Sequence, residues 1–121
     1  MTQGTNKYRD LEERTTEFAK RVIRLCKELP KNTINNRLID QIIRSAGSVG
    51  ANYREANEAL GKKDFSHRLR IARKECKETN HWLQLIQEAN QDFGKRMESL
   101  FTECDEIRNI LSAIINKASD K

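Results

Sequence analysis

Apolar residues recur along the chain at alternating steps of three and four, the spacing that gathers them on one face of an α-helix. The first run is Leu11, Thr15, Phe18, Val22, Leu25 and Leu29. It ends at Pro30, which lacks a backbone donor and restricts the residue before it. Asn32 or Thr33 is placed to cap the next helix by accepting a bond from a free N–H. The second run is Leu38, Ile42, Ser45, Val49, Asn52, Ala56 and Ala59, widened by a neighbouring row of Ile39, Ala46, Tyr53 and Leu60. Its broad apolar face predicts the most buried helix of the set, with Gly61 as its stop.

The third run is Phe65, Leu69, Ala72, Cys76, Thr79, Leu83 and Ile86. Asp64 stands near its start, where a negative charge suits the helix dipole. Asn90, Gln91 and Asp92 make the next turn. The fourth run is Phe93, Met97, Leu100, Cys104, Ile107, Leu111, Ile114 and Ala118, followed by a polar tail expected to fray. Four amphipathic segments of about 20 to 28 residues, joined by about three to five, force antiparallel neighbours. The spacing follows a heptad, which predicts near-parallel packing with a left-handed twist. The expected architecture is an all-α, up-down-up-down four-helix bundle occupying residues 8–119 as one domain.

Composition agrees with this pattern. The chain of 121 residues suits one domain. One proline, five glycines and 34% charged residues fit amphipathic helices better than a β-sandwich. The net charge of +5 is uneven: residues 1–31 and 61–90 each carry +3, while residues 91–121 carry −1. An anionic partner such as nucleic acid fits that excess, and so does an ordinary lysine-rich surface. Cys26, Cys76 and Cys104 form no close pair and no metal-type spacing. An odd count without a signal peptide points to a reducing, cytoplasmic setting. No run approaches the roughly 18 apolar residues of a membrane span, so no membrane partner is expected.

Catalytic and metal chemistry find little support. A di-iron bundle needs a Glu-x-x-His on each of two helices. Glu78-Thr79-Asn80-His81 supplies it once, and both histidines, His67 and His81, lie on the third segment. Glu78 and His81 are also expected to face outward. The cysteines sit at or beside core positions, where they act as small inert hydrophobes. Gly47-Ser48-Val49-Gly50 matches a bare G-x-x-G, but inside a predicted helix. No cofactor, metal or catalytic residue is expected, and the chain is read as a binding protein rather than an enzyme.

Three features bear on binding. Ser45 to Asn52 are eight small residues in a row, and each glycine costs a helix interior about 1 kcal/mol relative to alanine. Close helix packing inside the protomer is the leading explanation, and a subunit interface the second. Asn52 is expected to be buried, to need a partner and to fix helix register as polar seam residues do. Basic rows form the second feature. Lys63, His67, Arg70, Lys74, Lys77 and His81 recur opposite the seam of the third segment, and Lys20, Arg24, Lys27 and Lys31 do likewise on the first. Such rows track phosphates or simply face water, and Glu75 and Glu78 weaken the first of them. The third feature is Trp82, Leu85 and Tyr53, placed beside the seams and candidates for a homo-oligomer interface.

The same segments carry a family resemblance. Asp10-Leu11, Arg14-Thr15, Phe18-Ala19, Val22-Ile23 and Leu29-Pro30-Lys31 resemble the family's first helix. Its most distinctive motif is matched by Arg44-Ser45-Ala46 through Val49-Gly50-Ala51-Asn52-Tyr53 with Glu55-Ala56. Lys62-Lys63-Asp64-Phe65, Lys74-Glu75, Glu78-Thr79, Trp82-Leu83 and Leu85-Ile86 resemble its third helix. The chain is thus similar, over about residues 10 to 116, to bacterial four-helix-bundle proteins encoded in intervening sequences of large-subunit ribosomal RNA genes. That family is related to the accessory variability determinant of diversity-generating retroelements. Gly47 replaces a larger residue such as Thr, and Gly61 a Ser. The resemblance implies a ring-like homo-oligomer, a pentamer, and for the retroelement relatives a positive surface that binds nucleic acid and a reverse transcriptase.

These readings lead to an oligomeric nucleic-acid-binding protein, with RNA preferred. Lys20, Arg24, Lys27, Lys63, Arg70, Lys74 and Lys77 are the expected phosphate contacts, and Tyr53, Trp82 and Leu85 the expected oligomer contacts. An adaptor for a partner such as a reverse transcriptase is the alternative.

Overall fold

The structure, a computed structural model, describes residues 7–119, with side chains from residue 10 onward. The frayed tail expected after Ala118 falls, beyond Ser119, outside the described residues. Four helices follow in order: α1 (Lys7–Glu28), α2 (Thr33–Asn57), α3 (Lys62–Ala89) and α4 (Gly94–Ser119). A single 3-10 turn, Gln91–Phe93, precedes α4. Among the described residues there is no strand. The four-helix bundle expected from the heptad pattern is the fold observed.

Local chemistry sets the helix ends. α1 stops two residues before Pro30. Lys31 folds back so that its Nζ donates to the carbonyls of Cys26 (3.1 Å) and Leu29 (3.2 Å), a cation at the negative end of the helix. Lys31 therefore caps α1 instead of extending its basic row. Asn32 is the N-cap of α2, its Oδ1 accepting from the Asn35 N–H at 2.8 Å. Gly61 does not stop α2, which ends at Asn57. It stands instead before α3 with φ 156°, a backbone region that side chains with a Cβ rarely adopt.

α1 packs beside α2 and α4, and α3 packs beside the same two helices. Among the described residues, no Cα of α1 comes within 8 Å of α3, so these two occupy diagonal corners. The core joins all four helices through Phe18, Val22, Ile42, Val49, Leu69, Leu83, Ile107 and Leu111 among others. Burying each such side chain contributes about 1.5–3 kcal/mol.

Two expected core positions are displaced. Tyr53 is fully buried, while Asn52 is half-buried with its Nδ2 donating to Ser48 O in the same helix. On α4 the last seam residue is Ile115, with Ile114 half-buried. On α2 the heptad row Asn35, Ile42, Val49 and Ala56 stays buried, and the row beside it that continues inward is Ala46 and Tyr53 rather than Ser45 and Asn52. Leu60, expected to widen the face of α2, lies beyond the helix end and is 99% exposed.

The buried polar link between helix ends is made by Asn35 and Asn90, not by Asn52. Their side-chain amides exchange two hydrogen bonds of 2.9 Å. Asn35 Nδ2 also donates to Pro30 O, and Asn90 Nδ2 to Ile86 O. One clasp thus ties the α1–α2 connection to the C-terminus of α3. Among the described residues, no buried side-chain nitrogen or oxygen is left without a partner.

Candidate nucleic-acid interface

The outer face of α3 carries Lys63, Arg70, Lys74 and Lys77, all exposed, with His67 and His81 in the same row. They stand opposite Leu69, Ala72, Cys76 and Leu83, which are buried, because steps of three and four keep each set on its own side. From Lys63 to Lys77 the row spans about 21 Å at 1.5 Å per residue. At its N-terminal end it borders a cleft of about 560 Å³ lined by Lys62, Lys63, Ser66, His67, Arg70, Ala118 and Ser119. At the far end the His81 ring lies 5.0 Å from that of Trp82.

Glu75 and Glu78 do not quench this row. Both turn toward α2, where Arg44 pairs with Glu75 at 3.4 Å and also with Glu78. The Trp82 indole N–H donates to Glu78 as well, at 3.3 Å. Among the described residues, Lys63, Arg70, Lys74 and Lys77 have no carboxylate partner, and Arg70 bonds the Ser66 hydroxyl. The sequence places these acids near the row but cannot show that Arg44, 31 positions before Glu75 and 34 before Glu78, pairs with both.

The row on α1 differs. Lys20, Arg24 and Lys27 are exposed. However, Arg24 Nη1 lies 2.9 Å from Glu17, and its hydrogen bond holds that carboxyl below the usual carboxylate range. Exposed Glu13 and Glu17 share the helix's outer side. Since α1 and α3 are diagonal, their outer faces point in opposite directions. One protomer therefore cannot lay both rows on a single straight strand.

The expected oligomer contacts also separate. Tyr53 is buried inside the protomer and cannot reach a neighbouring subunit, a correction that follows from its place one heptad after buried Ala46. Trp82 is half-buried against its own core, and Leu85 is 38% exposed. Sequence reasoning missed a different apolar strip. Gly50 packs on Thr15, and this antiparallel register brings exposed Ile23 level with exposed Ile43, with Gly47 one turn further along α2. A Cβ at Gly47 would meet nothing within 4 Å. Close packing inside the protomer explains Gly50 but not Gly47.

Cys26, Cys76 and Cys104 are buried. Burial pushes the Cys26 thiol up to about 11. Hydrogen bonding with Cys104, and then burial, pushes Cys76 up too. Among the described residues, no three His, Cys, Asp or Glu side chains are placed to hold a metal ion. Nor is any described helix long and apolar enough to cross a membrane.

Comparison with known proteins gives a consistent picture. A family model described as 23S rRNA-intervening sequence protein matches residues 9–113. The crystal structure of a protein with unknown function from the S23 ribosomal protein family of Bacteroides thetaiotaomicron is similar, with a TM-score of 0.80. It is 35% identical in sequence, over 91% of this chain and 98% of that one. A search of curated proteins found no match. With a model matched over most of its length, this chain belongs to the 23S rRNA-intervening sequence protein family.

Proposed function

We propose that this chain is a non-enzymatic nucleic-acid-binding protein that lays the outer face of α3 along a phosphate backbone. The observation that carries the reading is the row of Lys63, Arg70, Lys74 and Lys77, whose neighbouring acids are drawn away by Arg44. Its length of about 21 Å suits roughly six stacked nucleotides at 3.4 Å each. Contacts of this kind position a strand without reading its sequence. RNA is the preferred class because the family's description ties it to 23S rRNA. The α1 row, with Arg24 already held by Glu17, makes a separate and weaker surface.

Self-association belongs to the same proposal. Ile23 and Ile43 leave an apolar strip open beside Gly47, where a helix of a second copy can approach closely. A ring of such copies would present several α3 faces and multiply weak contacts.

Fluorescence anisotropy with a single-stranded RNA tests the reading. Reversing two charges, Lys74→Glu with Lys77→Glu, is expected to abolish binding without changing the melting temperature. Unchanged affinity in that variant refutes it. A complex with a reverse transcriptase that forms without any nucleic acid would favour the adaptor reading instead.

A further inference from the structure

The seam between α1 and α4 is crossed by charged pairs of the expected sign at one level. Arg14 bonds Glu103 through Nε (2.7 Å) and Nη2 (2.9 Å), with Glu106 beside it. About two turns along α1 the pattern breaks. There Arg21 and Arg24 of α1 line one pocket with Arg96 and Ser99 of α4, and no carboxylate lines it.

These four side chains rim a pocket of about 130 Å³, floored by Leu25 and Leu100, which are 1% and 4% exposed. The volume equals roughly four waters at ~30 Å³ each, suited to one tetrahedral oxyanion. Carboxylates hold two of the arginines from outside the pocket: Glu17 holds Arg24, and Glu28 holds Arg96. Arg21 has no carboxylate partner among the described residues. Its Nη2 donates to Ser99 Oγ at 2.7 Å, which leaves the Ser99 hydroxyl proton free for a ligand. Three guanidiniums against two carboxylates leave one positive charge unbalanced, that of Arg21, and the planar forks of arginine match phosphate oxygens.

We propose that Arg21, Arg24, Arg96 and Ser99 form a binding pocket for a single phosphoryl group. This pocket is separate from the α3 face, and Arg24 lines it from within the α1 row. The phosphoryl group is supplied either by a small phosphate compound or by the terminal phosphate of a nucleic acid strand.

Equilibrium dialysis of the full chain against radiolabelled inorganic phosphate, at fixed ionic strength in chloride, tests this. The expected result is one phosphate per chain. Losing one charged hydrogen-bond partner makes Arg21→Gln bind at least about tenfold more weakly. Ser99→Ala, which leaves every charge in place, is also expected to weaken binding, whereas Lys74→Gln leaves it unchanged. No saturable binding overturns the proposal, as does equal binding by Arg21→Gln and the parent chain. A second arm compares one RNA oligonucleotide with a 5′-phosphate or a 5′-hydroxyl end. Tighter binding of the phosphorylated strand, lost in Arg21→Gln, assigns the pocket to strand ends. Equal binding of the two strands, with phosphate still bound, assigns it to small phosphates. Loss of RNA binding on substitution in α3 leaves the inorganic-phosphate arm unaffected.

Discussion

Two glycines three residues apart in α2 are expected to answer the same substitution with opposite signs. Replacing a mid-helix glycine with alanine gains about 1 kcal/mol from helix propensity. At Gly47 nothing opposes that gain, because the new Cβ meets nothing within 4 Å. Gly47→Ala should therefore stabilise the protomer by about 0.5–1 kcal/mol. At Gly50 the new Cβ would lie 3.0 Å from Thr15 Oγ1 and 3.4 Å from Thr15 Cβ. Thr15 is fully buried, β-branched and held by its hydroxyl to Glu12 O at 3.1 Å. It cannot turn aside without giving up that bond, so the helices must separate. Overpacking of this kind costs about 1–3 kcal/mol, which offsets or exceeds the propensity gain. Urea denaturation followed by far-UV circular dichroism reads both values, and Thr15→Ala combined with Gly50→Ala should recover at least half of the loss. Equal stabilisation by the two single substitutions refutes the packing argument. Destabilisation at Gly47, growing with protein concentration, would place a second copy against that residue and support the proposed apolar strip.

Other outcomes follow from the same geometry. Asn90→Ala leaves the Asn35 amide buried and underbonded, so it should cost about 1–3 kcal/mol by urea denaturation, more than Asn52→Ala. The Cys26 thiol holds its proton more tightly when folded, with its value raised from 9.0 to about 11. Its contribution to stability is complete below pH 9 and lost as pH rises through about 11, so Cys26→Ala should flatten the alkaline fall in melting temperature. All three thiols should react slowly with a disulfide reagent in the native chain and rapidly in denaturant. Lys20→Gln with Lys27→Gln should leave affinity for a short 5′-hydroxyl RNA within about twofold, since the α1 face turns away from α3.

Much of the fold is legible in the sequence because burial is periodic. Every residue of the first run, from Leu11 to Leu29, is buried, and Pro30 ends the helix as its chemistry demands. Errors enter where two adjacent rows of one helix compete for the seam. Tyr53 then replaces Asn52 in the seam, and Ile115 replaces Ile114. The basic rows were also legible, since a residue opposite the seam faces water whatever its neighbours do. Flanking positions were not. Whether Glu75 meets Lys74 or Arg44, and whether Arg21 meets a glutamate or Ser99, depends on the register between helices. Spacing along one helix carries no information about that register.

The central claim is that four unpaired cations on α3 bind a phosphate backbone. Each cation that displaces a counterion contributes about −0.7 to the slope of log affinity against log salt on a single strand. Four contacts predict a slope of about −3 for the parent chain, measured by anisotropy between 50 and 200 mM salt, and a slope near zero when Lys63, Arg70, Lys74 and Lys77 are all replaced by glutamine. A slope that stays the same in that variant would contradict the account.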